Sequence, residues 1–436
     1  MPPRAYFDYA ASTPVDPRVA GAMQPYFSKK FGNSGSLHSF GQEAIAAVDG
    51  ARERVASAID AQFRQIVFTG SATEANNLVL RGLTQTVRRL TQTAFRESPR
   101  EVGESLRPRL IVSAIEHESV LETARELEKE GVEAVYLPVD SRGVVDMSVL
   151  EKALTERTVL VSIMYANNET GTVQPISEIA KIISDFRATS DKRHGTSGAS
   201  VSSSLSHVSF PLLHTDAVQA FQFLDCGVET LGVDFMTLSA HKIYGPKGVG
   251  ALYVRQAAGD KRQGGSVSMS HVAYPLSPLV TGGGQEFGLR SGTENVPLIV
   301  GFSKAVELAG DARNKEVKRL AQLKVKLLKD IRKIFPAAKV NGVSDKSLPH
   351  ALPNLLNVHF PGVEAEDLLT QLDLAGVAAS SGSACTARSL QPSHVLTAMG
   401  YAVSRAKQSV RFSMGRQTTA KDTAHLCKAL ASCLRR

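Results

Sequence analysis

The chain has no tryptophan, and it has only four cysteines among its 436 residues, at positions 226, 385, 427 and 433. None of them forms a C-x-x-C pair, which argues against a structural metal or dithiol redox site and suits a reducing compartment. No apolar stretch reaches the roughly 18 residues that a membrane span requires. We therefore expect no metal and no transmembrane helix.

Positive charge is only mildly in excess, with 50 Lys plus Arg against 42 Asp plus Glu and a net charge of +8. This balance either favours anionic ligands such as phosphate or carboxylate, or reflects a solvated basic surface. No zinc-finger spacing and no basic stripe interleaved with aromatic residues is present, so nucleic acid is not an expected partner. The N-terminus lacks the apolar region of a secretory signal, which predicts a cytoplasmic protein.

Alternating patterns over residues 60–255 predict an α/β fold. Short β-branched runs alternate with helical stretches, as in βαβ units around a mainly parallel sheet. A helix is predicted at 118–130, where apolar residues recur at helical spacing. The seven candidate strands are 65–69, 109–113, 132–139, 158–164, 211–217, 234–239 and 249–254.

The pattern changes after Pro297, where a long amphipathic helix is predicted over 298–334. A smaller α+β domain is expected to follow, with strands at 354–360 and 409–415 and a closing helix at 420–434. We assign residues 16–296 to a large domain and residues 1–15 and 297–436 to a small one, the first segment by fold analogy alone. Three segments read as surface insertions: 91–108, 187–209 and 257–280.

Lys242 is the first candidate catalytic residue. It follows a predicted strand and precedes a Gly/Pro-rich turn, which places its amine at the edge where α/β sheets bind ligands. A lone lysine is usually a surface residue, but partners are present. Asp216 ends another predicted strand, and Gln219 follows it, whereas the alternative for Asp216 is a helix N-cap. A lysine for a Schiff base, a carboxylate for a pyridine nitrogen and donors for a phosphate are the requirements of pyridoxal phosphate.

Phosphate donors are predicted where TGSATEANN, residues 69–77, follows a strand and opens a helix. Its free backbone N–H groups and Thr73 suit an anion, although ordinary helix capping explains the same residues. Ser239 and His241, beside Lys242, are further candidate donors. His117, at the start of a predicted helix, either stacks on the cofactor ring and exchanges protons near neutral pH or is a surface histidine.

Cys385 lies in SSGSACTARSLQPSHVL, residues 380–396, just before a predicted helix. A thiol near a helix N-terminus has a lowered pKa, and its thiolate is a nucleophile. The polar surroundings argue against a buried structural cysteine. Arg411, on a predicted strand, is a candidate fork for an amino acid carboxylate. Asn168 is a candidate for contacting the same substrate or the cofactor, and each is alternatively an ordinary surface or turn residue.

Together these stretches resemble the class V aminotransferase-like cysteine desulfurases, in the group related to the nitrogen-fixation and housekeeping enzymes. The resemblance spans nearly the whole chain and is carried also by YFDYAASTPVDPRV and GGGQEFGLRSGTEN. It implies fold type I of the pyridoxal-phosphate-dependent transferases. It further implies a homodimer, because the second stretch is similar to the family's cross-subunit cofactor loop.

The resemblance also implies a role for each residue. Lys242 would hold the cofactor and act as a base, Asp216 would pair with the pyridinium, His117 would stack on the ring and Gln219 would touch the ring oxygen. The substrate L-cysteine would be held by Arg411 and Asn168, and its sulfur would pass to Cys385 as a persulfide for delivery to an acceptor protein. The phosphate would be bound by Ala72, Thr73, Ser239 and His241, and by Thr293 of a second subunit.

Two departures and one alternative accompany this resemblance. The three insertions are unusual, and the chain ends without the longer tail with which housekeeping members dock an iron–sulfur scaffold protein. Glu118 stands where many desulfurases have lysine. An acidic residue near the site would disfavour a second thiolate, so a selenocysteine lyase that releases selenium from L-selenocysteine is the alternative function.

Overall fold

The computed structural model describes residues 4–97, 107–194, 209–256, 276–343, 350–382 and 391–434. Within these ranges the strands are β1 (Ala5–Tyr6), β2 (Ile66–Thr69), β3 (Arg109–Ser113), β4 (Glu133–Leu137), β5 (Thr158–Ser162), β6 (Leu212–Asp216), β7 (Phe235–Ser239), β8 (Gly250–Val254), β9 (Lys339–Val340), β10 (Leu355–His359), β11 (Val377–Ala378) and β12 (Ser409–Ser413).

The α-helices of the same ranges surround these strands. They are α1 (Pro17–Met23), α2 (Ser39–Ser57), α3 (Ala72–Glu97), α4 (Glu118–Lys129), α5 (Met147–Ala153), α6 (Ile176–His194), α7 (Val228–Leu231), α8 (Val296–Ile334), α9 (Ala365–Leu374), α10 (His394–Ala398), α11 (Val403–Lys407) and α12 (Ala420–Cys433).

A seven-stranded sheet forms the centre of the molecule, in the order β2-β8-β7-β6-β5-β3-β4. Only β8 is antiparallel to its neighbours, so the predicted mainly parallel sheet of seven strands is confirmed. Except for the half-buried edge strand β4, these strands are buried on both faces. Leu110 and Val112 of β3 belong to one apolar cluster, whereas Ile111 belongs to the other. Burial on both faces explains why these strands read as continuous apolar runs.

The smaller sheets complete the C-terminal part. β12, β10 and β9 form an antiparallel sheet, and β1 pairs in parallel with β11. The N-terminal segment therefore lies against the C-terminal part, as a bridge between Asp8 and Ser413 also indicates. The apolar cluster on one face of the central sheet continues into β10, β12 and α12. Because this core includes residues from both predicted domains, it does not mark a boundary between them, and the division at residue 296 stays a prediction.

The long helix α8 is confirmed, although it begins at Val296 rather than at 298. Asn295 caps it by accepting a hydrogen bond from the Leu298 N–H, and Pro297 occupies its first turn, where the missing N–H costs nothing. Residues 91–97 and 187–194, from two of the predicted insertions, are helical and continue α3 and α6. That these segments are insertions stays a prediction. Residues 98–106, 195–208 and 257–275 lie outside the described ranges. Among the described residues, none of the helices combines the length and the apolar content that a membrane span requires.

A buried ion pair ties the loop at residues 282–294 to the core. The Arg52 guanidinium donates to both carboxylate oxygens of Glu286, at 2.6 and 2.8 Å, and to the Ile66 carbonyl at 2.6 Å. Glu286 also accepts from the Phe68 N–H at 2.8 Å. Glu286 and Phe287 have φ angles of 49° and 59°. Because these conformations are costly for residues other than glycine, we infer that the ion pair keeps the loop in place.

Replacing Glu286 with alanine should leave Arg52 charged and buried without its partner. We expect the free energy of unfolding to fall by about 3–5 kcal/mol, measured by urea denaturation followed by circular dichroism. Glu126→Ala removes a solvent-exposed ion pair with Lys129 and should leave stability nearly unchanged. Equal effects of the two substitutions would contradict the anchoring role.

Candidate active site

A cavity of about 360 Å³ lies at the carboxyl edge of the central sheet. The chain segments that leave β2, β3, β5, β6 and β7 all contribute to its walls, and residues 10–12 close it from the N-terminal segment. Ten of the predicted site residues line it: Ala72, Thr73, His117, Asn168, Asp216, Gln219, Ser239, His241, Lys242 and Arg411.

Lys242 ends a short 3₁₀ turn that follows β7. Its Nζ donates to the carbonyl oxygens of Ala10 and Ala11, both at 2.8 Å. Gln219, predicted to reach a ring oxygen, donates from Nε2 to the same Ala10 carbonyl at 2.9 Å. The N-terminal segment therefore orients both side chains at the cavity wall. No local sequence pattern indicates this role for the segment.

Asp216 is the last residue of β6, and its side chain is buried. Oδ2 accepts from Asn76 Nδ2 at 2.9 Å, and Oδ1 accepts from the Val218 N–H at 3.0 Å. These two hydrogen bonds hold the carboxyl group at the cavity wall, which Lys242 also lines.

His117 lines the cavity and is also the N-cap of α4, and its stacking on a cofactor ring stays a prediction. Its Nδ1 accepts from the Ser119 N–H at 3.1 Å and lies 2.9 Å from the Ser119 hydroxyl. A ring nitrogen that accepts an N–H carries no proton, so the neutral ring is protonated at Nε2. The cap therefore determines both the orientation and the tautomer of the ring.

The predicted phosphate donors gather at the start of α3. Ser71 caps this helix through a bond from the Glu74 N–H at 3.1 Å. Gly250 of β8 packs so closely that a Cβ there would lie 2.9 Å from the Ala72 nitrogen, so the glycine lets the strand approach the helix start. Burial, with a smaller contribution from Lys242 and Lys247, lowers the pKa of His241 to about 4. His241 is accordingly a neutral donor near pH 7.

Arg411 is almost fully buried, and both of its terminal nitrogens make hydrogen bonds within the protein. One terminal nitrogen donates to the Asn168 carbonyl at 2.9 Å, and the other pairs with Asp8 Oδ1 at 2.8 Å. Its Nε is buried without a hydrogen-bond partner among the described residues. Asp8, which the sequence analysis did not single out, therefore holds the fork in place and neutralises its charge. Its motif, YFDYAAST, was noted only for the resemblance.

Among the predicted site residues that the structure describes, Thr293 does not line the cavity, and it is exposed. Cys385 lies outside the described residues, and its role stays a prediction. Glu118, considered because its charge would act near the site, is not among the lining residues either.

Two buried ionisable residues, Glu116 and His214, are close in sequence to residues that line the cavity. Glu116 accepts from the Met164 N–H at 2.7 Å, and burial raises the pKa of its carboxyl well above the usual value. Below Asp216 in β6, His214 bridges neighbouring strands through Ser162 at 2.8 Å and Thr237 at 3.0 Å. Burial lowers the pKa of His214 to about 3.

Comparisons with known proteins cover nearly the whole chain. Residues 5–189 and 203–426 match the family model of aminotransferase class-V. Cysteine desulfurase IscS of Dictyoglomus turgidum is 40% identical over 422 residues, which cover 97% of this chain and 92% of that protein. The putative cysteine desulfurase IscS 1 of Bacillus subtilis is 40% identical over 434 residues and 99% of both chains.

Solved structures agree with these sequence matches. A NifS-like protein superposes with a TM-score of 0.79 at 34% identity, covering 99% of both chains. SspA in complex with cysteine gives a TM-score of 0.69 at 34% identity, covering 94% of this chain and 98% of that one.

The buried His214 should make the protein sensitive to acid. Its folded-state pKa lies below the value of 6.5 for a free histidine, so the unfolded chain binds the extra proton as the pH falls below 6.5, and stability is lost. His214→Gln should therefore reduce the loss of unfolding free energy between pH 7 and pH 5 by about 2 kcal/mol.

Urea denaturation at pH 7 and at pH 5 measures the unfolding free energy at each pH. Comparing the change between the two pH values in the variant and in the unmodified protein cancels any effect of the substitution on stability at pH 7. Substitution of the exposed His350 by glutamine is the control. An unchanged pH dependence in His214→Gln would show that another group accounts for the acid sensitivity.

Proposed function

The chain belongs to the class V aminotransferase family, and from this membership and the cavity we propose that it is a pyridoxal-phosphate-dependent cysteine desulfurase. It would convert L-cysteine to L-alanine and retain the sulfur as a persulfide on Cys385. The observation that carries the proposal is the convergence of Lys242, Asp216 and His117 with the start of α3 around one cavity. The relatives named as cysteine desulfurases support the choice of reaction.

The residues present fit pyridoxal phosphate. Lys242 would hold it as a Schiff base, Asp216 would keep its ring nitrogen protonated, and His117 would stack on its ring. Backbone N–H groups of Ala72 and Thr73 would bind its phosphate with Ser239 and His241. When bound, the cofactor supplies an electron sink that lets the substrate lose its Cα proton and weakens the Cβ–S bond.

The chain's own groups would then move protons and sulfur. Arg411 and Asn168 would hold the substrate carboxylate, and the Lys242 amine would take the Cα proton and return it. The Cys385 thiolate attacks the substrate sulfur, so an S–S bond forms as the Cβ–S bond breaks, and Cβ takes up a proton. One cysteine and one enzyme thiol thus give one alanine and one persulfide, with no external oxidant.

The described ends of the segment that contains Cys385 support its part in the reaction. On one side, Ser380 exchanges backbone hydrogen bonds with Arg411, at 2.6 and 3.3 Å. On the other side, His394 Nε2 lies 3.0 Å from the carbonyl of Glu116, which precedes His117. Both described ends of this segment therefore contact residues that line the cavity or directly precede a lining residue.

A homodimer would complete the site. Exposed apolar side chains cluster at Phe27, Phe31, Leu37 and Phe40, with exposed fractions of 62, 68, 92 and 50%. Ser34, within this aromatic patch (residues 27–40), donates to Glu294 at 2.6 Å, beside the exposed Thr293. An apolar patch of this kind suits a protein interface. We propose that a second copy covers it and receives Thr293 at its phosphate site.

Two further parts of the proposal concern partners and compartment. The persulfide sulfur would pass to an acceptor protein, for iron–sulfur cluster assembly or thiolation, as the IscS names of relatives suggest. The cytoplasmic location stays a prediction, because another relative, from Trachipleistophora hominis, is named a mitosomal cysteine desulfurase.

Mass spectrometry of Cys385 tests the reaction. After incubation with pyridoxal phosphate and L-cysteine, we expect one added sulfur on Cys385 and release of alanine. Cys385→Ala should abolish alanine formation from cysteine, whereas Cys427→Ala should retain it. If cysteine turnover alone is lost in Cys385→Ala and selenocysteine is still cleaved, the enzyme acts on both substrates. No cysteine turnover in the unmodified protein would refute the desulfurase assignment.

Sedimentation analysis tests the dimer. Replacing both Phe31 and Leu37 with lysine should convert dimers to monomers and weaken cofactor binding, because charged side chains cannot be buried there without cost. Thr293→Ala should weaken cofactor binding but leave the mass unchanged. The matched control replaces two other exposed apolar residues, Val325 and Leu374, with lysine. A dimer that withstands the first pair of substitutions would exclude the aromatic patch as its interface.

A further inference from the structure

A continuous chain of buried polar side chains connects Asp216 to His117. Asn76 Nδ2 lies 2.9 Å from Asp216 Oδ2 and 2.8 Å from Ser119 Oγ. Ser119 Oγ in turn lies 2.9 Å from His117 Nδ1. Asn76 is fully buried on α3, one helical turn after Ala72, and Ser119 is buried in the first turn of α4. One asparagine therefore stands between two of the groups that would contact opposite parts of the cofactor ring.

The chemistry of the groups determines the direction of each hydrogen bond. A carboxylate only accepts, so the amide nitrogen of Asn76 must face Asp216, and it has a second proton for Ser119. The Ser119 hydroxyl, having accepted, directs its own proton to His117 Nδ1, which also accepts the Ser119 backbone N–H. Each donor in this chain has a defined acceptor.

This orientation of the Asn76 amide destabilises the fold at one buried atom. Asn76 Oδ1 is buried without a hydrogen-bond partner among the described residues. A buried acceptor without a hydrogen bond destabilises a fold, because it has lost its hydrogen bonds to water. The reversed amide would direct its oxygen at the Asp216 carboxylate, which repels it. The observed orientation therefore provides hydrogen bonds to Asp216 and Ser119, the two residues that Asn76 contacts, and leaves its own buried oxygen unsatisfied.

We propose that Asn76 is a positioning residue for the cofactor site: it holds the Asp216 carboxylate and the His117 ring in register with each other and with the phosphate-binding start of α3. The inference rests on the proposed pyridoxal-phosphate function. It assigns Asn76, which is not among the residues that line the cavity, a role through Asp216 and, by way of the lining residue Ser119, through His117. Outer residues that orient the groups contacting a cofactor commonly matter nearly as much as those groups.

Cofactor binding to the apoprotein provides the test. Asn76→Leu keeps the volume but removes both donors, so the affinity for pyridoxal phosphate should fall about 10- to 100-fold. The pH midpoint of the visible absorbance of the bound cofactor should move in the same direction as in Asp216→Asn. In the double variant of both sites, the effects should be clearly less than additive, because both act through one carboxylate.

A matched control separates positioning from a general loss of buried hydrogen bonding. Thr84 lies on the same helix, is fully buried and donates to the Leu80 carbonyl at 2.6 Å. Thr84→Val should leave both the affinity and the absorbance midpoint unchanged. Asn76→Asp, which keeps the size but sets a second carboxylate against Asp216, should bind cofactor more weakly than Asn76→Leu and serves if the leucine variant does not fold.

The outcomes distinguish the two proposals. Wild-type affinity and midpoint in a folded Asn76→Leu or Asn76→Asp variant would overturn the positioning role, as would equal losses in Thr84→Val. If the cofactor effects appear but the unmodified protein forms no alanine from cysteine, the positioning role stands and the desulfurase assignment fails.

Discussion

The parallel direction of five strands is the constraint on which this site depends. β2, β3, β5, β6 and β7 end at the same edge of the central sheet, so residues that are far apart in the chain meet there. Each strand end contributes a different chemical group, including the helix start after β2, the imidazole after β3, the carboxylate of β6 and the amine after β7. A reversal of any one strand would carry its group to the opposite edge.

The N-terminal segment closes this arrangement from the other side. Its carbonyl groups bind Lys242 and Gln219, and Asp8 pairs with Arg411, which belongs to the C-terminal part of the chain. Residues that open the sequence thus contact residues more than 400 positions away. The loss in chain entropy needed for such contacts is recovered only when both sheets and α8 are in place, so the site and the fold are expected to form together.

Burial controls the charges around the cavity. His241 and His214 have lowered pKa values, so both are neutral near pH 7, whereas burial raises the pKa of the Glu116 carboxyl. Three other charged side chains that line the cavity are paired or hydrogen bonded: Lys242 with two carbonyl groups, Asp216 with two N–H groups and Arg411 with Asp8. An environment of this kind strengthens the electrostatic interactions of a bound ligand, because few water molecules compete.

The sequence by itself determined the local structure and the chemical groups. The seven central strands, α4 and α8 follow from apolar periodicity and punctuating residues, and Lys242, Asp216 and His117 stand at strand ends where such groups become functional. It did not predict that residues 91–97 and 187–194 are helical, because polar helix extensions resemble surface loops. Only the tertiary structure decided that Asp8 engages Arg411, that Asn76 joins Asp216 to His117 and that Thr293 faces outward. These contacts join residues on separate elements. Their distances depend on how the elements pack, and a local sequence pattern does not predict that packing.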